Sequence, residues 1–159
     1  MLKIHFALLI LVMLQACSSI PPSQPNQLYP ASNLTFEEQY EQLMFFYFQW
    51  KGVPHQDGGA SLNGVDCSGL MVRSFQEVYG VNLPRTTERQ SKKGLIVGKD
   101  ELKTGDLVFF KTGVKQLHVG VYMKANTFLH ASSSKGVMLS KLDNPYWRRK
   151  YWHSRRLIN

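Results

Sequence analysis

Apolar side chains recur at Phe36, Tyr40, Leu43, Met44, Tyr47 and Trp50, the three- and four-residue spacing of one helix face. Thr35 stands just ahead with Glu38 three positions on, a pairing in which each side chain can take the other's free backbone N–H. A helix should therefore start at Phe36 and stop near Gly52-Val53-Pro54. Residues 55–65 hold Gly58, Gly59 and Gly64 and read as loop or irregular strand. Asp66 is a good N-cap for a second helix that buries Leu70, Met71, Ser74, Phe75 and Val78 and closes at Gly80. A short helix over 87–93 follows Pro84.

From Leu95 onward the pattern becomes short apolar or alternating runs split by turn residues, which predicts strands at 107–111, 117–123, 127–131, 137–140 and 151–158. Helices first and an antiparallel sheet second make the class α+β. Within 117–123, Leu117, Val119, Val121 and Met123 should face the core, with His118, Gly120 and Tyr122 on the other side.

The first residues tell a different story. After Lys3, an apolar run from Ile4 to Leu14 is of signal-peptide length and too short for a membrane span. It ends in Leu14-Gln15-Ala16-Cys17, which resembles a bacterial lipobox, where cleavage precedes a cysteine that is then acylated. A plain secretory signal or a buried helix is the alternative. The expectation is a signal peptide at 1–16, a lipidated tether at 17–33 and one folded domain at 34–159. Pro21, Pro22, Pro25 and Pro30 suit such a tether. Ser18 and Ser19 behind the cysteine, with no acidic residue, suggest an envelope protein held on the outer membrane and facing the periplasm.

Composition narrows the partners. Hydrophobic residues at 43% against charged ones at 19% exclude a disordered chain. The net charge of +8 suits nucleic acid, an anionic membrane or an acidic polymer, and export argues against nucleic acid. That holds even for the basic, aromatic stretch from Trp147 to Arg156, whose Trp147 and Tyr151 should pack on the sheet. Two cysteines exclude a disulfide scaffold and a four-thiolate zinc site. With Cys17 lipidated, Cys67 has no disulfide partner, and a lone thiol in an oxidising compartment is either buried or chemical.

Cys67 falls in the first turn of the second helix, where the positive end of the helix dipole favours thiolate. A buried structural cysteine fits the same position. His118 has a glycine clearing space beside it and could act as a base, or be a surface histidine. If Lys124-Ala125-Asn126 is a three-residue hairpin loop, Met123 pairs with Thr127, His130 opposes Gly120, and both histidines share one face as diagonal neighbours. A two-residue loop would put His130 on the opposite face. With the longer loop the set is a thiol, an imidazole base and a second imidazole to orient it.

These residues carry a resemblance. Asp66-Cys67-Ser68-Gly69, Leu83-Pro84-Arg85-Thr86-Thr87 with Gln90, Gly105-Asp106-Leu107-Val108-Phe109-Phe110, His118-Val119-Gly120-Val121-Tyr122 and His130-Ala131-Ser132-Ser133 resemble the NlpC-type (NlpC/P60) cell-wall cysteine peptidases, from about Gln42 onward. The resemblance implies a papain-like fold and hydrolysis of peptide bonds in peptidoglycan stem peptides, without metal or other cofactor. It implies Cys67 as nucleophile, His118 as base and His130 as its orienting partner. Asp66 and Ser68 match positions that help bind a substrate amino group in relatives that cut near a free stem N-terminus. One position departs: where the family reads Gly-x-Pro-Tyr-x-x-Gly-Gly, this chain has His55 in place of the tyrosine that lines the site and helps steady the oxyanion.

The leading expectation is a lipid-anchored peptidoglycan endopeptidase. The alternatives are a wall-binding lipoprotein impaired in catalysis by His55, an amidase or acyltransferase on the same scaffold, and a metal site built from Cys67, His118, His130 and His55.

Overall fold

The structure, a computed structural model, describes residues 34–158. The expected signal peptide, Cys17 and the tether lie outside the described residues. Helix α1 (Phe36–Trp50) begins where the sequence places it, with both halves of the Thr35–Glu38 capping box formed. A two-stranded ribbon, β1 (Ala60–Ser61) and β2 (Gly64–Val65), leads into α2 (Cys67–Tyr79). Asp66 caps α2, and Gly80 ends it in the left-handed conformation that a side chain would resist. Helix α3 is shorter than expected, at Thr87–Gln90.

Six antiparallel strands follow: β3 (Leu95–Val97), β4 (Leu107–Gly113), β5 (Gln116–Tyr122), β6 (Thr127–Ser132), β7 (Gly136–Lys141) and β8 (Tyr151–Arg156), in the order β3-β8-β4-β5-β6-β7. Their inner face packs against α1 and α2, joining Leu43, Phe46, Trp50, Leu70, Met71 and Phe75 to Leu107, Phe109, Val119, Val121, Leu129 and Ala131. The two long helices packed on an antiparallel sheet give the α+β class that the sequence predicts.

The outer face is covered as well. Val108, Phe110, Phe128 and Leu142 form a second cluster, with Tyr122, Trp147 and Tyr151 against it. Its lid is α4 (Pro145–Lys150), an element absent from the sequence reading. Asn144 accepts from the Tyr146 N–H to cap it, and Pro145 opens the first turn, where its missing N–H costs nothing. The face of α1 also differs from expectation. Phe36 is 46% exposed, whereas Phe46 is buried and stacks on Trp50 with centroids 5.2 Å apart.

The β5–β6 turn is the three-residue form. Met123 N–H donates to Thr127 O at 2.9 Å, and Val121 and Tyr122 pair with Leu129 and Phe128. Ala125 and Asn126 both take left-handed φ values, 51° and 57°. Asparagine tolerates that conformation and alanine does so at a cost.

Candidate active site

Cys67 opens α2 beneath a tight cap. The Asp66 carboxylate accepts from Gly69 N–H at 2.6 Å, Ser68 Oγ at 3.1 Å and Arg85 Nη1 at 2.8 Å through Oδ1. Through Oδ2 it accepts from Arg85 Nη2 at 2.7 Å and Gly58 N–H at 2.9 Å. Burial works to raise the Asp66 carboxyl. The Arg85 fork, the Gly69 bond, the Arg85 charge and Ser68 outweigh it and hold the group below the usual range. Arg85 also donates to Ser68 Oγ and to Gly59 O, each at 3.0 Å. The loop can lie this close to the helix start only because residue 69 is glycine, since a Cβ there would sit 2.2 Å from Gly59 O.

The surroundings of the thiol work against its ionisation. Burial pushes the Cys67 thiol up, and the Asp66 charge adds to the rise. The contact with Thr87 Oγ1 at 3.5 Å and the backbone of Val119 and Ser68 only partly oppose it. Burial and the Asp66 charge thus oppose the pull toward thiolate expected of the helix start. A half-buried thiol whose ionisation is held back in this way calls for a base to take its proton.

The sheet supplies two imidazoles to the cavity that Cys67 lines. His118 on β5 and His130 on β6 meet with Nε2 and Nδ1 2.9 Å apart and ring planes at 83°. His130 is 1% exposed, and its Nε2 lies 2.9 Å from Ser140 Oγ on β7. Phe128 stacks on the His130 ring, and Trp147 covers both imidazoles. Burial, with His55 adding to it, lowers His118 to about 4. Burial, with His118 adding to it, lowers His130 to about 3. Both rings are neutral near pH 7.

One cavity of about 790 Å³ is lined by His55, Asp66, Cys67, Ser68, His118 and His130, so all six residues singled out in the folded domain come together. Thr112, Lys115 and Gln116 from the β4–β5 hairpin, Ser132, Ser133 and Ser134 at and beyond the end of β6, and Trp147 add to its walls. Among the described residues, no three His, Cys, Asp or Glu side chains are grouped to hold a metal ion. The four-ligand metal site weighed from the sequence is not formed.

Sequence reasoning assigned no role to Arg85, Thr87, Gln90 or Ser140. The first three sit in the quoted Leu83–Gln90 stretch, and buried Gln90 donates to Ser68 O and Pro84 O, tying α3 to the first turn of α2. Ser140 had no motif around it.

A thiol and a neutral imidazole on the walls of one cavity suit acyl transfer. The His118 nitrogen not engaged by His130, Nδ1, can accept the thiol proton. The Cys67 N–H belongs to a first helical turn, which has no intrahelical acceptor, and can serve a developing oxyanion.

Residues 52–156 match the NlpC/P60 family. The chain is 42% identical over 157 residues to the probable endopeptidase NlpC of Escherichia coli K12, covering 96% of this chain and 99% of that one. It is 44% identical over 117 residues to the murein DD-endopeptidase MepS/murein LD-carboxypeptidase of the same organism, covering 74% of this chain and 62% of that one. Among solved structures, the peptidoglycan hydrolase RipB of Mycobacterium tuberculosis superposes with a TM-score of 0.64 at 30% identity, over 78% of this chain and 67% of that one.

Proposed function

The chain belongs to the NlpC/P60 family, and we propose that it is a lipid-anchored peptidoglycan endopeptidase that cuts stem-peptide bonds with Cys67 as nucleophile. The reading rests above all on one observation: the hydrogen-bonded His118–His130 pair opens into the same cavity as Cys67.

In this mechanism Cys67 Sγ attacks the scissile carbonyl carbon as its proton passes to His118 Nδ1. The Cys67 N–H receives the oxyanion, with His55 in the tyrosine's place as second donor. The C–N bond breaks as His118 returns the proton to the departing amine. Water, deprotonated by His118, then hydrolyses the thioester and restores the thiol. His130 holds the base in position and contributes no fixed charge.

Asp66 and Ser68 act in this scheme as the frame of the substrate wall. An ionised carboxylate has about four lone-pair sites, and Gly58, Ser68, Gly69 and the Arg85 fork already occupy those of Asp66. A substrate amino group reaches Asp66 only by displacing one of these donors. Acylation at Cys17 would hold the enzyme to the outer membrane on the periplasmic side, with 17–33 as its tether.

Digestion of purified muropeptides with the protein and with Cys67→Ala tests the proposal. New peptide termini from the first and none from the second are expected, and equal product from both refutes it.

A further inference from the structure

The mechanism above leaves Ser140 unused, although it ends the only hydrogen-bond chain that the described structure gives the two histidines. His130 is walled in by Phe128, Trp147 and His118, so its Nε2 has Ser140 Oγ, 2.9 Å away, as its hydrogen-bond partner.

Two neutral imidazoles joined by one hydrogen bond share one proton in that bond, and its position fixes the other proton on each ring. With the proton on His118 Nε2, His118 Nδ1 is bare and can take the thiol proton. His130 must then carry its own proton on Nε2, where it needs an acceptor. With the shared proton on His130 instead, His118 carries its proton on Nδ1 and cannot act as base toward Cys67. A buried N–H without an acceptor is among the least tolerated features of a protein interior. In the second arrangement Ser140 donates to a bare His130 Nε2, so removal of the hydroxyl costs both arrangements but weighs more on the productive one, which is left with an orphaned N–H.

We infer that Ser140 is a positioning residue: by accepting from His130 Nε2, it makes accessible the tautomer in which His118 presents a bare Nδ1 to Cys67. The inference deepens the proposed catalytic reading and rests on it for the roles of Cys67 and His118. A serine hydroxyl suits this place because it accepts without adding charge beside two rings that the site keeps neutral.

Ser140→Thr and Ser140→Val differ in the hydroxyl alone and suit a strand. In the full chain, Ser140→Thr should keep the wild-type imidazole ¹⁵N spectrum, with His118 protonated at Nε2, and the wild-type rate of Cys67 alkylation. Ser140→Val should move the His118 proton to Nδ1, slow alkylation about tenfold or more, and lower kcat on muropeptides with little change in KM. Ser140→Ala, smaller than serine, repeats the test without added bulk. A wild-type spectrum and alkylation rate in Ser140→Val and Ser140→Ala overturn the inference, as does a threonine variant that behaves like valine. The spectrum reads the tautomer without substrate. A protein that cuts no muropeptide yet shows the valine shift therefore supports the assignment of Ser140 while removing the peptidase proposal.

Discussion

Trp147 stacks on His118 at 5.2 Å and 25° and turns its edge to His130 at 5.0 Å and 78°. One indole from α4 thus covers part of both imidazoles, and burial is the main reason that they ionise so low. Trp147→Ala should let His118 rise from about 4 toward its ordinary 6.5. The acid limb of the kcat/KM profile should then move to higher pH. A limb that stays in place would show that the shielding comes from elsewhere.

The same two rings make folding pH-dependent. Their ionisations in the fold, about 4 and about 3, lie below the value in an unfolded chain, so the unfolded state binds more protons as pH falls below about 6.5. Stability should be full above that pH, decline through pH 4 and level off below about 3. The loss by pH 4 should be on the order of a few kcal/mol. Asp66, held low in the fold, pulls the same way at the acid end. Urea unfolding at pH 7 and pH 4, repeated with His130→Gln, measures the histidine share.

With the thiol raised by burial and the imidazoles neutral, Cys67 should not show the acid-side reactivity plateau of a thiolate–imidazolium pair. Alkylation by iodoacetamide without substrate should climb with pH through and beyond the ordinary thiol range. A plateau at pH 5 to 6 would show a resting ion pair.

Arg85 joins Asp66, Ser68 and Gly59 into one frame around the nucleophile. Arg85→Lys loses the bidentate geometry and Arg85→Met loses the charge. Each should destabilise the fold by about 1–2 kcal/mol, an amount reduced by the solvent exposure of the guanidinium. Thermal unfolding checks this, and activity should fall with it because Gly69 and Cys67 share the cap.

A methyl group at residue 120 would sit 2.6 Å from Leu129 O, 2.7 Å from Phe128 Cδ2 and 3.2 Å from His130 Cβ. The first of these is backbone of β6, so the neighbouring strand must move. Gly120→Ala should cost about 1–3 kcal/mol and separate His118 from His130. Calorimetry reads the first effect, and loss of kcat at a pH where the protein remains folded reads the second.

Local signals wrote much of this molecule into the sequence. The Thr35–Glu38 box, the Asp66 cap and Gly80 each act within one turn of a helix, and all three are where the sequence places them. The pairing of His118 with His130 was legible only as a conditional, because a single turn decides the face on which His130 lies. Contacts across long stretches of chain left no such mark. Phe46 rather than Phe36 enters the core because the buried stripe of α1 runs Gln39, Leu43, Phe46 and Trp50, a choice between overlapping helical spacings that only the packing partners decide. Arg85 reaches back to Asp66 and Gly59, and Ser140 reaches His130 across the β6–β7 ladder. Pro145 after Asn144 is a helix-start signal, but the six residues that follow are too few for a periodic pattern.

The turn at Lys124-Ala125-Asn126 also bears on how such a chain can drift over generations. Its side chains are exposed, and exchange there is limited mainly by the left-handed backbone at Ala125 and Asn126. Its length is not, because gain or loss of a single codon there would turn over every side chain of β6 and send His130 to the helix side of the sheet. Descendants that retain chemistry should therefore vary in the spelling of this turn while keeping its count, and an odd-numbered insertion should mark a lineage in which the histidine pair has been lost.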